Sequence, residues 1–168
     1  MYYIEEININ SLSDAISLTV VGLNIFALYK VYEYDFDYLL GTVLVLFSQS
    51  IIKKSTTNSS FLPFKRPDKA CNCSLFNAGG PVGHKSGFPS GHMGTTSFMT
   101  NLFYLKNCNN KNVKNYLLYN FWNVFMAYAR YNKKCHNLFQ IISGYILGLL
   151  IAYIFYYKNK ILSYIKID

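Results

Sequence analysis

Acidic side chains are scarce in this chain. Eight Asp and Glu stand among 168 residues, against sixteen Lys and Arg. No acidic cluster is present that would hold a divalent metal, so neither a metal nor another cofactor is expected. Cysteine is also sparse. Cys71 and Cys73 are separated by one residue, Cys108 and Cys135 stand apart, and no Cys–His pair has zinc-ligand spacing. The alternating pattern of half-buried strands is missing, as are internal repeats and low-complexity tracts. A secretory leader is not expected, because Met1–Glu6 is acidic where a signal peptide is basic, and insertion is expected to rely on internal spans.

Apolar and aromatic residues fill the space that charge leaves. The chain is 52% hydrophobic and 18% aromatic, with only 14% charged residues, a balance that suits an outer surface facing lipid. Five apolar segments stand out: Ala15–Tyr29, Tyr38–Ile52, Met93–Leu105, Tyr116–Tyr128 and Leu138–Tyr157. The last runs 20 residues without a charge, enough to cross a hydrocarbon core of about 30 Å. The other four reach crossing length only with their flanking Ser, Thr, Asn and Tyr. The expected fold is all-α, an integral membrane helical bundle of about five transmembrane helices forming one domain over 1–168. A soluble helical bundle is the alternative, since short apolar segments are often core helices.

If all five segments span, the amino terminus, the long loop 53–90 and the loop 130–137 share one face, called face A. The loops 30–37 and 106–115 and the carboxyl terminus share the opposite face. Face A carries nine Lys and Arg and the other face seven, so the positive-inside rule does not choose an orientation. Basic residues that serve an anion site should be discounted, and Glu5, Glu6 and Asp14 then favour a lumenal or extracytoplasmic face A. Two Asn-x-Ser sequons in loop 53–90, at Asn58 and Asn72, point the same way, and Cys71 or Cys73 could pair with Cys135 in an oxidising compartment. The formal net charge of +8 does not suggest nucleic acid, because the basic residues sit in short loops rather than along one polar face.

Three motifs fall on face A: Phe64-Lys65-Arg66-Pro67, Gly87-Phe88-Pro89-Ser90-Gly91-His92, and Ala129-Arg130 followed by His136 and Gln140. Histidine attacks or donates a proton near neutral pH. Guanidinium forks suit phosphoryl oxygens, and a small-residue turn opening a helix aims backbone amides at an anion. Together they point to phosphoryl chemistry.

The three motifs resemble the signatures of the type 2 phosphatidic acid phosphatase family, which includes lipid phosphate phosphatases, bacterial acid phosphatases and vanadium haloperoxidases. The resemblance covers roughly residues 50–150. It implies a metal-independent membrane hydrolase acting on a lipid phosphate monoester or a lipid (prenyl) diphosphate through a phosphohistidine. His136 is implied as the nucleophile and His92 as the acid that protonates the leaving oxygen and then activates water. Arg66 and Arg130 are implied as clamps on the phosphoryl oxygens, with Ser90 and Gly91 completing the cradle. The implied partners are the lipid substrate and the membrane. Five spans are one fewer than is usual among membrane members, the missing one preceding the first span here.

Three positions depart from the family pattern. Ser59 stands where the family lysine is expected, and Lys54, at the end of the second segment, is the favoured substitute over Lys53 or Lys65. Ala129 replaces a serine. Gln140 replaces the aspartate that orients the nucleophile; at i+4 from His136 it lies on the same helix face. On this basis Gln140→Asp is expected to raise the rate. The alternative function is a weakened family member that binds lipid phosphate as a membrane scaffold or binding protein. His84 matches no family position, and Gly144 and Gly148 are read as a close-packing pair.

Overall fold

The computed structural model describes residues 11–165, with side chains described as far as residue 158; Glu5 and Glu6 lie outside the described residues. Five helices run in chain order, α1 (Leu12–Tyr32), α2 (Asp37–Thr56), α3 (Gly91–Asn107), α4 (Val113–Asn132) and α5 (Leu138–Ile165). Each contains one of the five apolar segments. Local chemistry fixes several starts. The Ser11 hydroxyl accepts from the Asp14 N–H, and Asn112 Oδ1 accepts from the Asn115 N–H. Asn137 Oδ1 accepts from the Gln140 N–H at 3.0 Å in the first turn of α5. Each side chain satisfies an amide that the helix cannot.

The helices alternate up and down, and ion pairs gather at both ends. At one end Lys133 pairs with Asp14, and Asn77 Nδ2 donates to the Asp14 carbonyl. This ties the start of α1 to the 57–90 segment and to the α4–α5 turn. At the other end Lys106 reaches Asp35 and Asp37, and Lys158 reaches Asp37.

Helix α3 is central, with twelve of its seventeen residues buried. Its interior face is unusually polar: Thr95, Thr96, Ser97 and Asn101 are all at most 2% exposed. The outward faces are the reverse. Ile25 and Leu28 on α1, Phe47 on α2, Leu118 and Val124 on α4, and Ile146 and Leu150 on α5 are all exposed. Two helices, Leu12–Tyr32 and Leu138–Lys158, are long and apolar enough to cross a membrane by length and composition, with mean hydropathy 1.6 and 2.1. The expected five spans are thus met by two on this measure. The inward-facing Asn, Gln, Ser and Thr and the terminal lysines of the other three helices dilute their hydropathy.

Helices α3 and α5 meet backbone to backbone. A Cβ on Gly148 would lie 2.2 Å from the Gly94 carbonyl oxygen, and one on Gly144 would lie 2.5 Å from the Ser90 carbonyl oxygen. The obstructing atoms are main chain and cannot rotate away. The close-packing role read for these glycines is therefore met. Gly148→Ala is expected to destabilise the fold by about 1–3 kcal/mol through overpacking, measured as a lower unfolding midpoint of the detergent-solubilised protein.

Candidate active site

The segment linking α2 to α3 is ordered by a short ribbon. A 3-10 turn at Leu62–Phe64 leads into Lys65, which bridges Ser86. The Arg66 N–H donates to the Lys85 carbonyl, the His84 N–H to the Arg66 carbonyl, and the Gly87 N–H to the Phe64 carbonyl. This pairing carries Arg66 over the ends of α3 and α5. Gly87 is required there, since a Cβ would lie 2.6 Å from Gln140 Oε1 and 2.7 Å from Arg66 Cγ. Phe61, Phe64, Phe88 and Phe139 stack outside the ribbon, with Phe88 and Phe139 centroids 5.2 Å apart.

A cavity of about 320 Å³ opens beneath the ribbon. Lys53, Arg66, Gly91, His92 and His136 line its upper end. Residues remote in the chain thus share one space, and both histidines face it. Two sequence-based assignments change, those of Lys54 and Arg130. Lys54 is exposed and does not line the cavity; Lys53, one residue earlier and 100° around α2, does. Lys65 turns away, its ammonium donating to the Thr57 carbonyl at 2.6 Å. Arg130 is fully buried behind the cavity wall rather than lining it. Its Nη2 donates to the Cys73 carbonyl at 2.8 Å and its Nη1 to the Ser17 hydroxyl at 3.2 Å.

Cys73 lines the cavity and is bonded to Cys135 in a disulfide, while Cys71 and Cys108 are free. Sequence reasoning left the choice of Cys71 or Cys73 open. The bridge secures the Cys73 carbonyl that Arg130 holds and fixes the residue next to His136. Arg66 Nη1 donates to the Cys135 carbonyl at 2.8 Å. Asp68 pairs with His84 on the exposed surface and is not a cavity residue.

His136 is held from both sides. Its Nδ1 lies 2.8 Å from Gln140 Oε1, and its Nε2 lies 3.4 Å from Arg66 Nη1. Gln140 Nε2 donates to two main-chain carbonyls, Pro63 at 3.0 Å and Lys65 at 2.8 Å. Those two bonds turn the amide oxygen towards the ring. An amide oxygen only accepts and a guanidinium only donates, so the proton sits on Nδ1 and the lone pair on Nε2. Burial, and then the positive charges of Arg66 and Arg130, hold the His136 pKa well below the usual 6.5. Burial likewise lowers Arg66 from its ordinary value.

Three polar atoms at motif positions are buried and find no hydrogen-bond partner among the described residues: Ser90 Oγ, His92 Nε2 and Arg130 Nε. Native proteins seldom leave such atoms unpaired without a ligand or function at hand. Ser90 precedes the first turn of α3, where it makes no side-chain cap, and its N–H donates to the Gln140 carbonyl at 2.9 Å. The N-terminal ends of α3 and α5 therefore adjoin, and Gly91 at the start of α3 lines the cavity beside Arg66 and Lys53. A helix start beside two cations has the chemistry to receive an anion.

The sequence model of a family described as the PAP2 superfamily matches residues 36–162. The chain belongs to that superfamily, and the membership supports phosphatase chemistry on phosphate esters. No curated protein and no solved structure matches the chain.

The Gln140 contacts reverse the direction expected for Gln140→Asp. A carboxylate there would remove one of the two side-chain donors of the Pro63 and Lys65 carbonyls, leaving only Asn137 Nδ2, and set negative charge against them. The variant is expected to lose about 2 kcal/mol of stability and to turn over no faster than wild type, checked by unfolding and by phosphate release. In a histidine-selective NMR titration of the unliganded protein, the His136 ring is expected to remain neutral at pH 6.5 and to take up its proton only well below it. Half-protonation at or above pH 6.5 contradicts the burial argument.

Proposed function

We propose that this protein is an integral membrane, metal-independent phosphatase that cleaves a lipid phosphate through a phosphohistidine at His136. The observation that carries this is the Nε2 lone pair of His136. Its tautomer is held by Gln140 and Arg66, and the ring shares a cavity with His92, whose own Nε2 has no partner among the described residues.

In the first step Nε2 of His136 attacks phosphorus in line, and the bond from phosphorus to the lipid oxygen breaks. Protonated His92 gives its proton to that oxygen, and the dephosphorylated lipid leaves. In the second step neutral His92 takes a proton from water, whose oxygen attacks the phosphohistidine. Inorganic phosphate departs, and His136 regains its lone pair. Charge developing on the phosphoryl oxygens is met by Arg66, Lys53 and the amides opening α3, with Arg130 adding its field from behind. Positioning and preorganised charge carry most of the work in such a transfer.

The exposed apolar faces of α1, α2, α4 and α5 around a polar interior support insertion of all five helices in the bilayer. The active-site end then lies at the membrane surface, where a head group reaches the histidines while its tail stays in lipid. The Cys73–Cys135 disulfide at that end favours a lumenal or extracytoplasmic orientation, since disulfides persist in oxidising compartments. A second reading, a lipid-phosphate binding protein with little turnover, is favoured by one observation, the lack of charge at Gln140 next to the nucleophile.

Purified protein in mixed micelles with a radiolabelled lipid phosphate tests the proposal. His136→Ala is expected to abolish phosphate release, and His92→Ala to slow it by about 10²–10⁴-fold. Wild type quenched in alkaline detergent is expected to carry label on His136, because the phosphorus–nitrogen bond survives base and is cleaved by acid. Binding of the lipid with no release by wild type would support the binding protein instead.

A further inference from the structure

The cavity does not end at the histidines. Along α2 its wall passes from Lys53 to Ser50, Gln49 and then Leu46, seven residues or roughly 10 Å of descent along the helix. Thr95 of α3 lines the same depth, and Asn24 of α1 lines it near Leu46. The seam between α1 and α2 therefore leads from the phosphate site towards the bundle's middle. Its walls below Lys53 combine the neutral hydrogen-bonding groups of Asn24, Gln49, Ser50 and Thr95 with the apolar Val20 and Leu46. Gln49 and Thr95 are each 2% exposed, and Gln49 Nε2 donates to the Gly91 carbonyl at 3.3 Å. Asn24 Oδ1 is buried without a hydrogen-bond partner among the described residues. The cations lining the cavity, Lys53 and Arg66, both stand at its upper end.

We propose that Asn24, with Gln49 and Thr95, forms a linker-reading compartment that selects a lipid monophosphate whose linker carries hydroxyl or ester groups, over a prenyl diphosphate. This rests on the phosphatase function proposed above. A buried amide wall satisfied by a hydroxyl or ester linker is left unpaired by a bare hydrocarbon. A second phosphate would bring further negative charge into a compartment without a cation to meet it. Asn24 lies outside the family match, which begins at residue 36, while Gln49 and Thr95 lie within it. Asn24 is a specificity-determining residue rather than a catalytic one.

The test compares kcat/KM on three substrates in mixed micelles: a diacylglycerol 3-phosphate, a prenyl monophosphate and a prenyl diphosphate. Wild type is expected to favour the glycerolipid over both prenyl compounds. Asn24→Leu and, separately, Thr95→Val (which keeps the shape and removes the hydroxyl) are each expected to lower the glycerolipid-to-prenyl-monophosphate ratio by roughly 3- to 10-fold, chiefly through KM for the glycerolipid. Equal losses on both substrates, an unchanged ratio in both variants, or a wild-type preference for the diphosphate would overturn the inference while leaving the phosphatase standing. No turnover of any of the three by wild type would overturn both.

Discussion

The approach of α5 to the start of α3 is the constraint on which the site depends. Gly144 sits against the Ser90 carbonyl and Gly148 against the Gly94 carbonyl, at separations no Cβ would allow. With side chains removed from that contact, the Ser90 N–H reaches the Gln140 carbonyl. Two helix N-termini are thereby set side by side, one carrying His92 in its first turn and the other preceded by His136. A larger residue at either glycine would part the helices, and the shared cavity would open with them. Packing far from the chemistry thus sets the chemistry's geometry.

Charge supplies the second constraint. Arg66 and Arg130 are buried or nearly so, Lys53 lines the same cavity, and no carboxylate lines it among the described residues. Burying cations without counter-charge is unfavourable. Main-chain carbonyls offset part of it: Cys135 accepts from Arg66 and Cys73 from Arg130. The disulfide between those same two residues joins the acceptors covalently. Asp14 supplies part of the counter-charge behind Arg130, and an arrangement of this kind gains stability when an anion binds. The same field keeps the unliganded His136 ring neutral, which is the state a nucleophile needs.

Much of this was legible in the chain. Hydropathy located all five helices, because each apolar run is bounded by polar turns, and the three motifs named Arg66, His92 and His136 as residues that would meet. The lysine was misassigned because the choice between adjacent residues depends on the helical phase of α2 at its last turn, which composition does not fix. Arg130 was read as a direct clamp, but its partners Ser17 and Cys73 come from α1 and from the α2–α3 segment, and no local pattern announces them. The compartment containing Asn24 was invisible for a related reason. An Asn inside an apolar run reads as a diluted span until the fold turns it inward.

Gln140 joins these strands. Read alone, it is an aspartate lost, and a nucleophile left without its charged partner. In the fold it is an amide whose two ends do different tasks: the oxygen fixes the His136 tautomer, and the nitrogen anchors the Pro63 and Lys65 carbonyls of the ribbon that carries Arg66. A carboxylate does only the first. An aspartate's charge would steady the cationic ring formed on phosphoryl transfer, yet the ribbon would then be held at those carbonyls by Asn137 Nδ2 alone, with a carboxylate set against them. Nucleophile and clamp are linked through one neutral side chain, so the orientation of His136 and the position of Arg66 are set together. The charge missing at this position is exchanged for that coupling, and only a partner set spanning residues 63 to 140 makes the exchange apparent.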